Sequence, residues 1–307
     1  MFRYPIFSDR DADAFSTLLL RYTGQDYKNA FMRDPVLTSL ASNTSVLYQE
    51  AEECIVYLNG EYYSAMYVRE HMNTDAICRQ MGWEGREDGI DLVSGSAIVR
   101  QGSNDTFAAL EEYLKTHDVT TQEAYEYIDS VVDIDNFIEY ISMQLVIGTY
   151  DTVNVKRYRD PEGDGKWRWI IYDVDRSMRE NLNSFKILAS GEYGRLFKSC
   201  MRNPTIRERF LVYFNQALAT YMSPQSMFDM IQAQYQRLQP VLPQYLNMVG
   251  VERESYDKNV RAFANRAAQR PAQIIVHCAN YLKLSSEETN RYFADALAAI
   301  EAYNSKS

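Results

Sequence analysis

Residues 149–178 read TYDTVNVKRYRDPEGDGKWRWIIYDVDRSM. Two strand-like runs, VKRYR and KWRWIIY, flank DPEGDG, whose Asp, Pro and Gly supply the backbone conformations of a chain reversal. The spacing therefore predicts a β-hairpin over 155–172. Groups at the two open ends of an antiparallel hairpin converge, because the turn folds the outer ends together. Asp151 and Asn154 before the hairpin should thus come near Asp173 and Asp175 after it. Oxygen-bearing side chains at one rim suit magnesium or manganese, which take carboxylates, amides and water. A further carboxylate beside such a site is what phosphoryl transfer requires. Asp and Asn at strand ends also cap turns, so spacing alone leaves both readings open.

Upstream of this stretch, 106–116, 122–131 and 134–148 carry helical periodicity, the last with Ile134, Phe137, Ile138, Ile141 and Leu145 on one face. Nearer the N-terminus, 17–22 reads as a buried strand carrying Arg21, and 28–41 as a helix that starts at Arg33 or is kinked by Pro35. Segments 52–58 and 61–69 flank Asn59-Gly60, a strong hairpin signal. A short helix over 73–81 precedes an irregular stretch containing DGIDLV. Downstream, helices are expected over 205–221, 224–238, 256–268, 271–282 and 286–303. This order is α+β: a small mixed lobe at 1–71 and a larger helical lobe at 72–307 with the hairpin embedded.

Composition narrows the partners. A net charge of −10 argues against nucleic acid, which clustered Lys and Arg would bind. An anionic ligand would need a local cation or a metal ion. The four cysteines are far apart, which reads as idle or buried thiols rather than a metal site or disulfide framework. Three scattered histidines give zinc and Ser-His-Asp hydrolysis a poor start. No apolar run approaches a membrane span, and the compartment stays open. Tyr62, Tyr63, Tyr67, Trp167 and Trp169 read as packing residues rather than ligand shelves, and Arg176 as a surface ion pair rather than a phosphate contact.

The element order is that of a protein kinase: basic residue on a strand, helix, two strands, hinge, helices, Asp, Asn, hairpin, Asp. The chain resembles the spore coat protein H (CotH) kinase family of atypical kinases. The resemblance lies in LLLRYTGQDYKNAFMRD, IVYLNGEYYSAMYVRE, YDTVNVKRYR with GKWRWIIYDVDRS, and FANRAAQRPAQII. It implies a two-lobe kinase-like fold, ATP, a divalent metal, and transfer to Ser or Thr hydroxyls of a coat or surface protein. Asp151 would match the catalytic aspartate, Asn154 the metal-binding asparagine, and Asp173 or Asp175 the metal-binding aspartate. Arg21 would take the place of the strand lysine that touches phosphates. Glu70 ends a strand at a hinge-like segment, 68–71, and reads either as a residue of nucleotide or lobe organisation or as a solvated acid.

The sequence departs from ordinary kinases in three places. Asp151 and Asn154 are three residues apart rather than five, Asp34 is the only acid of the helix after Arg21, and no glycine precedes Arg21 where a phosphate-covering loop belongs. A scaffold that keeps the fold without catalysis is the alternative. The D-x-D elements of dehalogenase-like phosphatases and of glycosyltransferases fit less well, because both need βα units that the sequence does not show.

Overall fold

Asp160 organises the reversal at the end of the first hairpin strand. Its backbone carbonyl accepts from the N–H groups of Gly163 and Gly165 at 3.2 and 3.1 Å, and its buried carboxylate pairs with Arg86 at 2.5 Å. A computed structural model describes residues 2–7, 12–179 and 182–306. Among these the strands are β1 (Phe2–Arg3), β2 (Ala14–Phe15), β3 (Leu18–Arg21), β4 (Leu47–Tyr48), β5 (Ala51–Leu58), β6 (Glu61–Glu70), β7 (Asp91–Ser94), β8 (Ile98–Gln101), β9 (Lys156–Arg159) and β10 (Arg168–Ile171). The fold class is mixed α+β, as the sequence predicts.

The β9–β10 hairpin sits inside a five-stranded sheet ordered β4-β10-β9-β7-β8. Trp167 and Trp169 are fully buried. Both rings meet Phe107 at centroid distances of 6.0 and 6.3 Å, and Trp169 meets Phe137 at 4.5 Å. The tryptophans thus anchor the hairpin to helices Asp105–Thr116 and Ile134–Ile147, which is the packing role expected of them. DGIDLV, expected to be irregular, supplies β7. Its four residues are buried and pair with β8 and β9, so no polar–apolar alternation marks it.

A second sheet, β3-β6-β5, contains the hairpin expected at Asn59-Gly60. Both turn residues have positive φ, 54° and 86°, as the favoured two-residue turn requires. Tyr67 is buried, but Tyr63 is 52% exposed. The packing expectation fails for Tyr63 because the hairpin tip runs past the core.

Three helical expectations need correction. The helix expected over 28–41 starts at Arg33, one of the two readings of that segment, but ends at Thr38 and continues as a 3-10 turn, Ser39–Asn43. The buried Asp26 carboxylate accepts from the N–H groups of Ala30, Met32 and Arg33 at 3.3, 3.2 and 3.0 Å, holding residues 27–31 in a turn. Pro35 fits in the first helical turn, where its missing N–H has no intrahelical role. The helices expected over 256–268 and 271–282 are one, Arg253–Leu282, with Pro271 inside. Buried Val260, Phe263, Ala267, Ile274 and Cys278 share its packed face on both sides of the proline, and that packing outweighs an interior proline's cost of about 3 kcal/mol. The helix expected over 286–303 is two, Ser286–Tyr292 and Ala294–Asn304. The break falls at buried Phe293, whose ψ of 26° interrupts the run. All four cysteines are free thiols, three of them buried. No helix among the described residues is long and apolar enough to cross a membrane.

Candidate functional site

Three chain segments meet where β3 and β10 end. Arg21, the last residue of β3, pairs through its guanidinium with Asp173 Oδ1. Asn154 donates from Nδ2 to the other Asp173 oxygen at 2.8 Å. Asp173 itself has a positive φ of 58°, a conformation an aspartate adopts at a cost and that the flanking contacts hold in place. The Gln25 N–H donates to Asp175 Oδ2 at 2.6 Å. Gly24 makes that approach possible. Its φ is +55°, and a Cβ there would lie 3.1 Å from Asp175 Cγ and closer still to the carboxylate oxygen.

Asp34 completes the frame from the far side. Its Oδ1 accepts from the Val174 N–H, between the two site aspartates, at 2.7 Å. Its Oδ2 pairs with the Arg69 guanidinium, which also donates to the Gln49 carbonyl at 3.0 Å and the Thr38 hydroxyl at 3.3 Å. Both members of the pair are about 1% exposed. The only acid of the helix after Arg21 therefore holds the Asp173–Asp175 segment in place.

Asp151 stands at the rim, its Oδ2 3.9 Å from Arg176 Nη1. Arg176 is thus in the surface ion pair expected for it. With Arg179 it flanks the exposed Tyr150 ring, at 5.4 and 4.9 Å from the centroid. Glu70 is not with these residues. On β6 it is registered with Leu18 while Arg21 is registered with Tyr67, which places Glu70 on the opposite sheet face. It pairs there with Arg79 and accepts from Gln80 at 2.7 Å, beside a cavity of about 350 Å³ lined also by Phe15, Asp75 and Glu87.

The charges are coupled. Burial pulls the Arg21 pKa down, but the Asp34 and Asp173 carboxylates outweigh it and the net shift is upward. Burial raises the Asp175 pKa; the Gln25 N–H opposes this and the Asp173 charge adds to it. Two carboxylates and an amide are hard oxygen donors, the chemistry that magnesium and manganese take. Among the described residues no three His, Cys, Asp or Glu side chains gather as a metal-binding group, so the candidate set depends on the Asn154 amide.

Sequence reading named Asp151, Asn154, Asp173, Asp175 and Arg21. It gave no role to Gly24 or Gln25, and it noted Asp34 only as a misplaced acid. The Gly-Gln-Asp that follows Arg21 so closely was the available signal for the first two. Residues 8–11, in the segment where a phosphate-covering loop belongs, lie outside the described residues.

The arrangement gathers Arg21, Asn154, Asp173 and Asp175 where β3 and β10 end in a mixed α+β fold. The family model described as CotH kinase protein matches residues 4–274. The chain belongs to the CotH kinase family, and that membership suggests a kinase-like function. No curated protein matches it.

Proposed function

We propose that the chain is an atypical protein kinase that transfers phosphate from ATP, with magnesium or manganese, to a Ser or Thr hydroxyl of a protein. The observation that carries this reading is the grip on Asp173 by Arg21 from β3 and Asn154 from the other side of the hairpin. The hairpin alone brings Asn154 to Asp173, but Arg21 reaches the same carboxylate from 152 residues away in the sequence. Asn154, Asp173 and Asp175 would hold the cation, which when bound neutralises phosphate charge. Arg21, with a planar fork of donors suited to phosphate oxygens, would turn from Asp173 to the nucleotide. Asp151, half-buried at the rim, would orient the acceptor hydroxyl and take its proton. Glu70, paired with Arg79, would fix the end of β6 at the hinge-like segment. The division into a small lobe at 1–71 and a helical lobe at 72–307 belongs to the same proposal. The β3-β6-β5 sheet supports it, being drawn wholly from the first part.

A scaffold without catalysis is the second reading, favoured by the ion pair that already occupies Asp173. Thermal unfolding with magnesium and ATP tests the site in either case. A ligand binding only the folded state at 100 times its Kd adds about 2.7 kcal/mol, a rise of roughly 5 °C. Asp173→Asn should abolish most of that rise. No rise in wild type at any magnesium or manganese concentration would remove the nucleotide site.

A further inference from the structure

Lys156 opens β9 two residues beyond Asn154, and Arg100 lies on β8, with β7 between the two strands. Ser94 of β7 is registered with Lys156, and its hydroxyl accepts from Arg100 Nε at 3.3 Å. Directly paired residues of antiparallel strands share a sheet face, so both cations stand at the Ser94 end of one face. The Lys156 ammonium lies 4.9 Å from the Tyr172 ring centroid and donates to the Met72 carbonyl at 3.4 Å. Tyr172 immediately precedes Asp173, and its hydroxyl also feels the charges of Arg100 and Arg21. Among the described residues neither Lys156 nor Arg100 has a carboxylate partner.

That arrangement runs against the composition. In a chain with 42 acidic and 32 basic residues, two adjacent cations are left without counter-charge, one of them half-buried. Burying an uncompensated charge is costly, and the two like charges repel. An anion between them would supply the missing charge and accept from donor groups that have no acceptor capacity of their own. Guanidinium and ammonium side by side match a doubly charged oxyanion best.

We propose that Arg100 and Lys156 form an anion subsite beside Tyr172 that takes a phosphate group. It is separate from the Arg21–Asp173 contact. Phosphate as the occupant rests on the phosphotransferase reading, whereas anion binding itself does not. The phosphate belongs either to a nucleotide or to free inorganic phosphate chains.

The test is titration calorimetry at low salt with EDTA present, so that no metal contributes. Tripolyphosphate and ATP are titrated separately into wild type, Arg100→Gln, Lys156→Met and the double variant. Wild type should bind, more weakly as salt is raised, and the double variant should bind at least 10-fold more weakly. Equal losses for both probes assign the subsite to the phosphate chain; a loss confined to ATP assigns it to the nucleotide. Double-variant binding within two-fold of wild type for both probes overturns the proposal. Because the Lys156 charge is uncompensated, Lys156→Met should melt without ligand at the same temperature or higher. A marked fall in melting temperature in both single variants would make the cations structural and also overturn it. Arg100 is exposed, so Arg100→Gln keeps the test readable if Lys156→Met misfolds. Asp173→Asn should keep metal-free tripolyphosphate binding while losing metal-dependent ATP binding, which separates failure of this subsite from failure of the metal site.

Discussion

Removing the Asp34 carboxylate should be among the most damaging single changes in the protein. In Asp34→Ala the Arg69 guanidinium stays buried without its partner, which typically costs about 3–5 kcal/mol. The Val174 N–H loses its only acceptor named above, adding about 1–3 kcal/mol for an unsatisfied buried donor. The sum, about 4–8 kcal/mol, is a large part of the roughly 5–15 kcal/mol that stabilises a typical domain. Asp34→Asn keeps an oxygen for Val174 and should cost only the ion-pair part. Arg69→Met strands the Asp34 anion and should cost about as much. With both partners neutral, Asp34→Asn/Arg69→Met should be far less damaging than the sum, a coupling of at least about 2 kcal/mol. Urea unfolding at pH 7, followed by the fluorescence of the buried Trp167 and Trp169, measures all four variants. Additive costs for the two single changes, or a cost below about 1 kcal/mol for Asp34→Ala, would refute the claim that this pair holds the Asp173–Asp175 segment.

Two further expectations concern the site. Arg21→Met removes the charge on Asp173 that competes with a cation, so metal binding in the absence of nucleotide should strengthen while ATP affinity falls about 10-fold or more, the scale of a charge-assisted phosphate contact; calorimetry with manganese alone and with manganese ATP reads both, and a parallel change in the two would refute the assignment. The Asp175 pKa is raised in the fold, by burial first; stability that depends on its protonated form is present below the ordinary aspartate pKa and is lost as pH rises through the raised value. At pH 7 its ionised form therefore costs stability, and Asp175→Asn, which keeps an acceptor for the Gln25 N–H, should melt at the same temperature or higher while losing the shift given by magnesium ATP. A lowered melting temperature with the ATP shift intact would reverse that reading.

The hairpin ends were legible because their chemistry is local. Turn residues fix the reversal, the reversal fixes which ends meet, and the contact of Asn154 with Asp173 follows from counting. Arg21 was legible only through the order of elements, since nothing near it in the chain names Asp173 as its partner. Asp34 escaped because its role is made across 140 residues of sequence by a backbone N–H, which leaves no residue pattern to read. Pro35 made a start at Arg33 one of two readings, and Asp26 decides between them across the turn, its carboxylate taking donors that a longer helix would have used internally. Pro271 suggested a break because local propensity is weighed without the packing on either side of it. β7 was missed because four residues buried on both faces carry no periodicity.

Phosphoryl transfer by wild type and by Asp151→Asn is the most direct test of catalysis. Asp151 stands apart from the grip on Asp173, its one ion pair among the described residues being the 3.9 Å contact to Arg176, so the substitution should leave ATP affinity within a few-fold. It retains size and hydrogen bonding but removes the base, for which the usual loss is about 10²-fold or more. Transfer of labelled phosphate from manganese ATP to a Ser-rich peptide, with autophosphorylation read alongside, gives both rates. The expected result is transfer by wild type and a loss of that size in Asp151→Asn with nucleotide binding preserved. Equal transfer by the two proteins would contradict the role of Asp151, and ATP binding without transfer by wild type would contradict catalysis itself.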